Sequence, residues 1–215
     1  MPKIVDHDER REFLAGVSAE LIAEHGLERA TIREIAARTG FSRGVIEHYF
    51  DDKDHLITMA VVWVNDRYMR REAMLTRGKE GLTALEARLH CIMPLTKEAI
   101  QEWKIRLRFW SLAAIHADLQ PAQSKRLKAT RERFQKDIEQ ARALGEIQPQ
   151  IDPVATANRL AHLVSGVSCH ALIAPGFYNR RYLKTMADDI VADLRNCREH
   201  TLPRLHNVAD AAVFE

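Results

Sequence analysis

The feature that most constrains this chain is the stretch from Thr31 to Lys53, TIREIAARTGFSRGVIEHYFDDK. It holds two short amphipathic patterns separated by a glycine-bearing turn. In the first, Thr31 and Glu34 have capping-box spacing, so the Thr31 hydroxyl can accept from the Glu34 amide. Ile32, Ile35 and Ala36 then fall on one face of a 3.6-residue period. Gly40 stands where a helix end favours a residue tolerant of positive φ. Ser42 offers a second N-cap, and Val45, Ile46, Tyr49 and Phe50 supply the next apolar positions. Two short helices joined by a tight turn make a helix-turn-helix, whose second helix fits the major groove. The expectation is sequence-specific DNA binding.

The rest of the chain reads as almost wholly helical, an all-α fold of about nine helices. A first helix over 7–25 is signalled by Asp6 and Glu9 at its start, a stripe of Phe13, Leu14, Val17, Leu21 and Ile22, and Gly26 at its end. A long fourth helix starts near Asp51 or Asp52 and reaches about Thr76, long enough to bridge two domains. Further helices are expected near 82–93, 96–117, 121–144, 153–174 and 179–200. Pro94 ends one of them, and Asp152-Pro153 is an N-cap followed by a proline suited to the first helical turn. The division expected is 1–53 as a DNA-binding domain and 54–215 as a domain for ligand binding and dimerisation. The last dozen residues read as a weakly ordered tail.

At 215 residues, 46% hydrophobic and 29% charged, the chain can bury a substantial core. No apolar run approaches the ~20 residues needed to span a bilayer. The first residues, MPKIVD, carry no signal-peptide pattern, so no membrane and a cytoplasmic location are expected. Cys91, Cys169 and Cys197 are far apart and form no CxxC pair, which argues against a disulfide framework. Residues 1–53 carry eight Lys and Arg against eleven Asp and Glu, so this segment is not basic overall. Phosphate contact depends on where charges and amides point rather than on that balance.

The pattern Thr31-Ile-x-x-Ile-Ala, Gly40, Ser42-x-Gly44 and His48-Tyr49-Phe50-x-x-Lys53-x-x-Leu56 resembles the TetR family of bacterial transcriptional regulators. The resemblance implies a homodimer reading palindromic operator DNA, released by a small-molecule effector. Carried over residue by residue, it places Ser42, Arg43, Gly44 and His48 on or near the exposed face of the recognition helix. Gly44 would permit close backbone approach, and Arg43 would pair with guanine or clamp a phosphate. Tyr49 resembles the family tyrosine whose hydroxyl contacts phosphate. Thr31 and Lys53 sit at helix starts suited to phosphate, and Arg33 could add another contact. Glu47 departs from the family's usual residue. In the groove it would repel phosphate unless it accepts from cytosine, or it turns aside to pair with a basic neighbour.

The segment from Glu102 to Ser111, with Ser124 to Leu127, resembles the C-terminal domain of BetI-type regulators, the choline-responsive branch of that family. Trp103, Leu107, Trp110 and Ala114 recur on one helical face, and aromatic faces attract quaternary ammonium through cation–π contacts. The same stripe also suits packing inside a helical domain. Trp63, Trp103, Leu107, Trp110 and His170 are the expected ligand lining, between the fourth helix and the fifth to eighth, with Glu102 a candidate counter-charge. The family resemblance further implies dimerisation through the eighth and ninth helices, with Gly166 allowing close approach and Val164 and Val191 taken as buried there. The alternative is a DNA-binding or architectural protein without a ligand.

His90-Cys91, Cys169-His170, His116 and His162 form no short metal motif, so no metal or other cofactor is expected. No serine sits in a GxSxG elbow and the paired carboxylates fall at caps or solvated faces, so no enzymatic activity is expected. Sequence leaves the effector, the operator and the sign of regulation open.

Overall fold

The computed structural model describes residues 7–26 and 29–196. The expected Asp6 cap, Cys197, the end of the ninth helix beyond Asn196 and the tail lie outside them. Among the described residues nine α-helices follow one another: α1 His7–His25, α2 Ile32–Thr39, α3 Arg43–Glu47, α4 Lys53–Thr76, α5 Gly81–Ile92, α6 Lys97–Ile115, α7 Gln120–Ala143, α8 Pro153–Ile173 and α9 Arg180–Asn196. A 3₁₀ turn, Ala117–Leu119, joins α6 to α7. There is no strand among the described residues.

The helix limits follow from local chemistry. Thr31 Oγ1 accepts from the Glu34 amide at 3.2 Å, and Gly40 closes α2 at φ 72°, a left-handed conformation that glycine adopts without strain. Ser42, Asp52, Thr96 and Asp152 cap α3, α4, α6 and α8 through their side-chain oxygens. Each cap satisfies an amide that the first helical turn leaves without an intrahelical partner.

Two apolar cores lie end to end. The first gathers Leu14, Leu21, Ile35, Ile46, Phe50, Ile57 and Val64, together with Ile105 and Phe109 of α6. The second gathers Leu82, Leu89, Trp103, Phe134, Leu160 and Ile190. Helices α4 and α6 contribute to both, so the helix-turn-helix shares its packing with α4 as far as Val64. Gly16 of α1 faces Trp63 of α4 closely enough that a Cβ there would lie 3.1 Å from the indole. Beneath the second core, Glu72 of α4 is buried between Arg88 of α5 at 2.8 Å and Arg133 of α7 at 2.9 Å. Arg88 also holds Asp137 at 2.6 Å, and Tyr68 donates to Glu72. Buried charges persist in such places only when paired, and here the pairs tie α4, α5 and α7 together.

Two sequence expectations change. Phe13 is 51% exposed and meets Phe41 edge-on at 6.2 Å instead of entering the core. The recognition helix is a short Arg43–Glu47 segment, with Tyr49 and Phe50 buried just beyond it. Among the described residues no helix is long and apolar enough to cross a membrane.

Candidate DNA interface and effector cavity

At the head of the molecule, Thr31, Arg33, Ser42, Arg43, Gly44 and His48 are all exposed, while Lys53 opens α4. A Cβ added at Gly44 would meet nothing within 4 Å, and its φ lies outside the left-handed range. The fold itself therefore has no use for glycine there. The Arg43 Nε donates to Glu47 Oε1 at 2.7 Å, one turn along the same exposed face. Glu47 thus turns aside to a basic neighbour, as one of the sequence alternatives had it. Tyr49 is placed differently from its exposed neighbours: its ring is 6% exposed, and its hydroxyl lies 3.0 Å from Nδ1 of His7. That contact ties the start of α1 to the end of α3.

The five residues expected to line one ligand pocket do not converge. Trp63 lines a cleft between α1, α4 and α6 with Arg67 5.4 Å from its ring, separate from the other tryptophans. Leu107 is half-buried and borders none of the main cavities. His170 points outward on α8, stacked on Tyr178 at 5.4 Å. Only Trp103 and Trp110 share a cavity, their rings edge-to-face at 5.7 Å. Residues spaced correctly on a helical wheel share a face, but a face of α6 is wide enough to border several helices. The Trp103 indole is itself spoken for: it donates to the Ile92 carbonyl at 2.6 Å and is 2% exposed.

The cavity at Trp103 and Trp110 has a volume of about 130 Å³ and lies between α4, α5, α6, α7 and α8. Val61, Asn65 and Tyr68 of α4 form one wall, and Arg126, Leu127, Thr130 and Arg131 of α7 form the opposite one. Sequence reasoning missed its charged residues. Arg106 lies over Tyr68 at 4.7 Å and over Trp103 at 5.3 Å, so a guanidinium of the chain itself already covers a face of each of these two rings. Arg126 lies over Phe109 at 5.3 Å. Burial pulls both arginines below the usual guanidinium range. Glu102, the candidate counter-charge, is held by Arg71 through both oxygens at 2.6 and 2.8 Å. The one available signal was Arg106 three residues from Trp103, close to the same face of the helix.

On α8 and α9 the residues expected at an interface between copies divide. Val164 and Val191 are buried in the protomer's own core. The outer face of α8 instead shows His162, Gly166, His170 and Ile173, all exposed at helical spacing. A Cβ at Gly166 would meet nothing within 4 Å. Between α5 and α9, Glu86, His90 and Asp188 come within 4.8 Å of one another, but Asp188 already accepts from Lys184 at 2.6 Å and lies 2.8 Å from His90. The group reads as an ion pair between helices.

Comparison with known proteins agrees with this geometry. The family described as bacterial regulatory proteins, tetR family, matches residues 16–59, and the BetI-type transcriptional repressor C-terminal family matches residues 82–196. The chain is 27% identical over 190 residues to the HTH-type transcriptional regulator PksA of Bacillus subtilis (strain 168), covering 86% of this chain and 89% of that one. It is 34% identical over 128 residues to BetI 1 of Chromohalobacter salexigens, covering 57% of this chain and 62% of the relative. Among solved structures, a transcriptional regulator from Rhodococcus sp. Rha1 superposes with a TM-score of 0.74 at 27% identity, over 87% of this chain and 96% of that one. A regulator from Saccharomonospora viridis in complex with choline has a TM-score of 0.80 at 17% identity, over 86% and 97% of the two chains, a likeness of fold. With a helix-turn-helix over its N-terminal quarter and a BetI-type C-terminal half, the chain belongs to the TetR family of bacterial transcription regulators.

Proposed function

We propose that the protein is a cytoplasmic, homodimeric repressor that reads a palindromic operator and is released from it by a small molecule. The observation that carries this reading is the path from cavity to DNA. Helix α4 begins beside the recognition helix at Lys53 and walls the cavity with Val61, Asn65 and Tyr68. A ligand that moves α4 moves the head with it. Residues 1–53 supply the DNA-reading surface, and 54–215 supply effector binding and dimerisation. Thr31, Arg33, Ser42, Arg43, Gly44, His48 and Lys53 are assigned to DNA, with Tyr49 assigned a supporting place through His7. The outer faces of α8 and α9 are assigned to the second copy, because an exposed mid-helix glycine costs up to about 1 kcal/mol relative to alanine and nothing within the protomer needs it.

Release requires the effector to favour one spacing of the two heads, since equal affinity for both spacings shifts nothing. A ligand-independent DNA-binding protein would have no use for a cavity set against its own linking helix. The test is a duplex selected by the protein from random sequence, followed by titration of the complex with candidate effectors. Selected DNA that no small molecule releases would favour the ligand-independent alternative.

A further inference from the structure

Charge around the cavity does not balance. Its lining includes Arg106, Arg126, Arg131 and His162, and none of its lining residues is acidic. Asp66 of α4, an exposed acid, acts on Arg126 only at longer range, and the buried acids nearby are committed to other arginines. Glu102 is held by both of its oxygens to Arg71 and reaches Arg106 only at 4.0 Å. Glu72 is shared between Arg88 and Arg133, and Asp137 is held by Arg88. Arg106 and Arg126 each carry an Nη1 that is buried and has no hydrogen-bond partner. Arginine does not give up its proton in proteins, and a buried donor without an acceptor destabilises the fold. An arrangement of this kind persists where something else supplies the acceptors. Water could do so in part, but water brings no charge.

We propose that this cavity takes a small oxyanion, best met by a carboxylate on a flat or short apolar body, as the effector of the regulator. The proposal rests on the ligand-responsive reading above. Arg106 from α6 and Arg126 from α7 hold the anionic group, each guanidinium offering the planar fork that matches a carboxylate. Trp110 and Leu127 pack the body. At about 130 Å³ the space suits a single ring or a short chain. A quaternary ammonium meets less favourable conditions: Arg106 already covers a face of Tyr68 and of Trp103, and two guanidiniums with no acid in hydrogen-bond contact repel it. Anion binding draws α6 and α7 toward the wall made by α4, the helix that carries the head.

The experiment measures binding to the intact protein without DNA, by calorimetry and by the fluorescence of Trp103 and Trp110. Benzoate, acetate, inorganic phosphate and choline chloride are titrated at matched ionic strength. Saturable binding of benzoate or acetate is expected, weakened roughly 10- to 100-fold in Arg126→Gln, the loss of a charge-assisted hydrogen bond. Arg126→Gln is chosen because Arg106→Gln removes stacking on two buried rings; circular dichroism checks that the variant is folded. Saturation by phosphate alone keeps the oxyanion and assigns it to free phosphate. Saturation by choline with no anion bound, anion binding unchanged in Arg126→Gln, or no saturable binding of any of the anions would each overturn the proposal. Anion binding that leaves a selected operator duplex undisturbed keeps the site and removes the ligand-responsive reading. Release by choline alone does the reverse.

Discussion

Arg43 Nε and Glu47 Oε1 lie 2.7 Å apart on the exposed face of α3, so the recognition helix holds its one arginine against an acid. The pair is solvated and contributes little to stability. Its consequence falls on DNA. To reach a base or a phosphate, Arg43 must leave Glu47, and Glu47 is then left near the backbone of the duplex. Glu47→Gln should therefore tighten binding to any duplex, by several-fold at moderate salt, and raise the salt dependence by about one unit of slope. Arg43→Ala should weaken a selected operator by about 1–3 kcal/mol if it contacts a base. Fluorescence anisotropy at two salt concentrations separates the cases. Glu47→Gln binding more weakly than wild type would mean that Glu47 positions Arg43 or accepts from a base.

The Tyr49 hydroxyl meets His7 across the head at 3.0 Å. Tyr49→Phe keeps the buried ring and loses that hydrogen bond. A stability loss of about 0.5–1.5 kcal/mol is expected, together with weaker operator binding, because α1 no longer pins the end of α3. Chemical denaturation and anisotropy on the same variant check both effects. Unchanged values in both would leave the contact without a role.

Dimerisation separates two kinds of substitution on α8. Gly166→Arg adds a side chain where the protomer has open space, and arginine is a better helix former than glycine. The variant should remain helical and sediment as a monomer. Val164→Asp places a carboxylate in the protomer's own core and should unfold it instead. A Gly166→Arg variant that still sediments as a dimer would move the interface off this face.

The contact of Gly16 with Trp63 couples the head to α4. Gly16→Ala puts a Cβ 3.1 Å from the half-buried Trp63 indole, and where the indole holds its place the overpacking, about 1–3 kcal/mol, outweighs the up to about 1 kcal/mol that alanine gains over glycine in a helix. The expected result is a lower melting temperature and altered tryptophan fluorescence, with helix content retained. An unshifted melting curve would show that Trp63 moves freely.

What was legible in the sequence had local causes. Thr31, Gly40, Ser42 and Asp152 act within four residues of themselves, and the structure has caps and turns at these positions. The helix order followed from such signals. Partners far apart in sequence carried no comparable signal. The Arg88–Asp137 pair spans 49 residues, and nothing near either one announces the other. Which of the expected ligand-lining residues share one cavity was hidden for a related reason. Periodicity assigned Trp103, Leu107 and Trp110 to one face but did not say which helices border it. It also gave no sign that Arg106 folds back over Tyr68 and Trp103. Val164 and Val191 looked like interface residues because an apolar stripe reads alike whether it meets the same chain or a second copy.

The most direct measurement is selection of duplex DNA from a random library by the purified protein, with binding of the enriched sequence then compared between wild type and Arg43→Ala. A two-fold-symmetric site should emerge, bound by a dimer whose recognition helices lie in successive major grooves, with Arg43→Ala markedly weaker on it. Failure to enrich any sequence, or an enriched site without two-fold symmetry that Arg43→Ala binds as tightly as wild type, would contradict a dimeric operator-reading regulator.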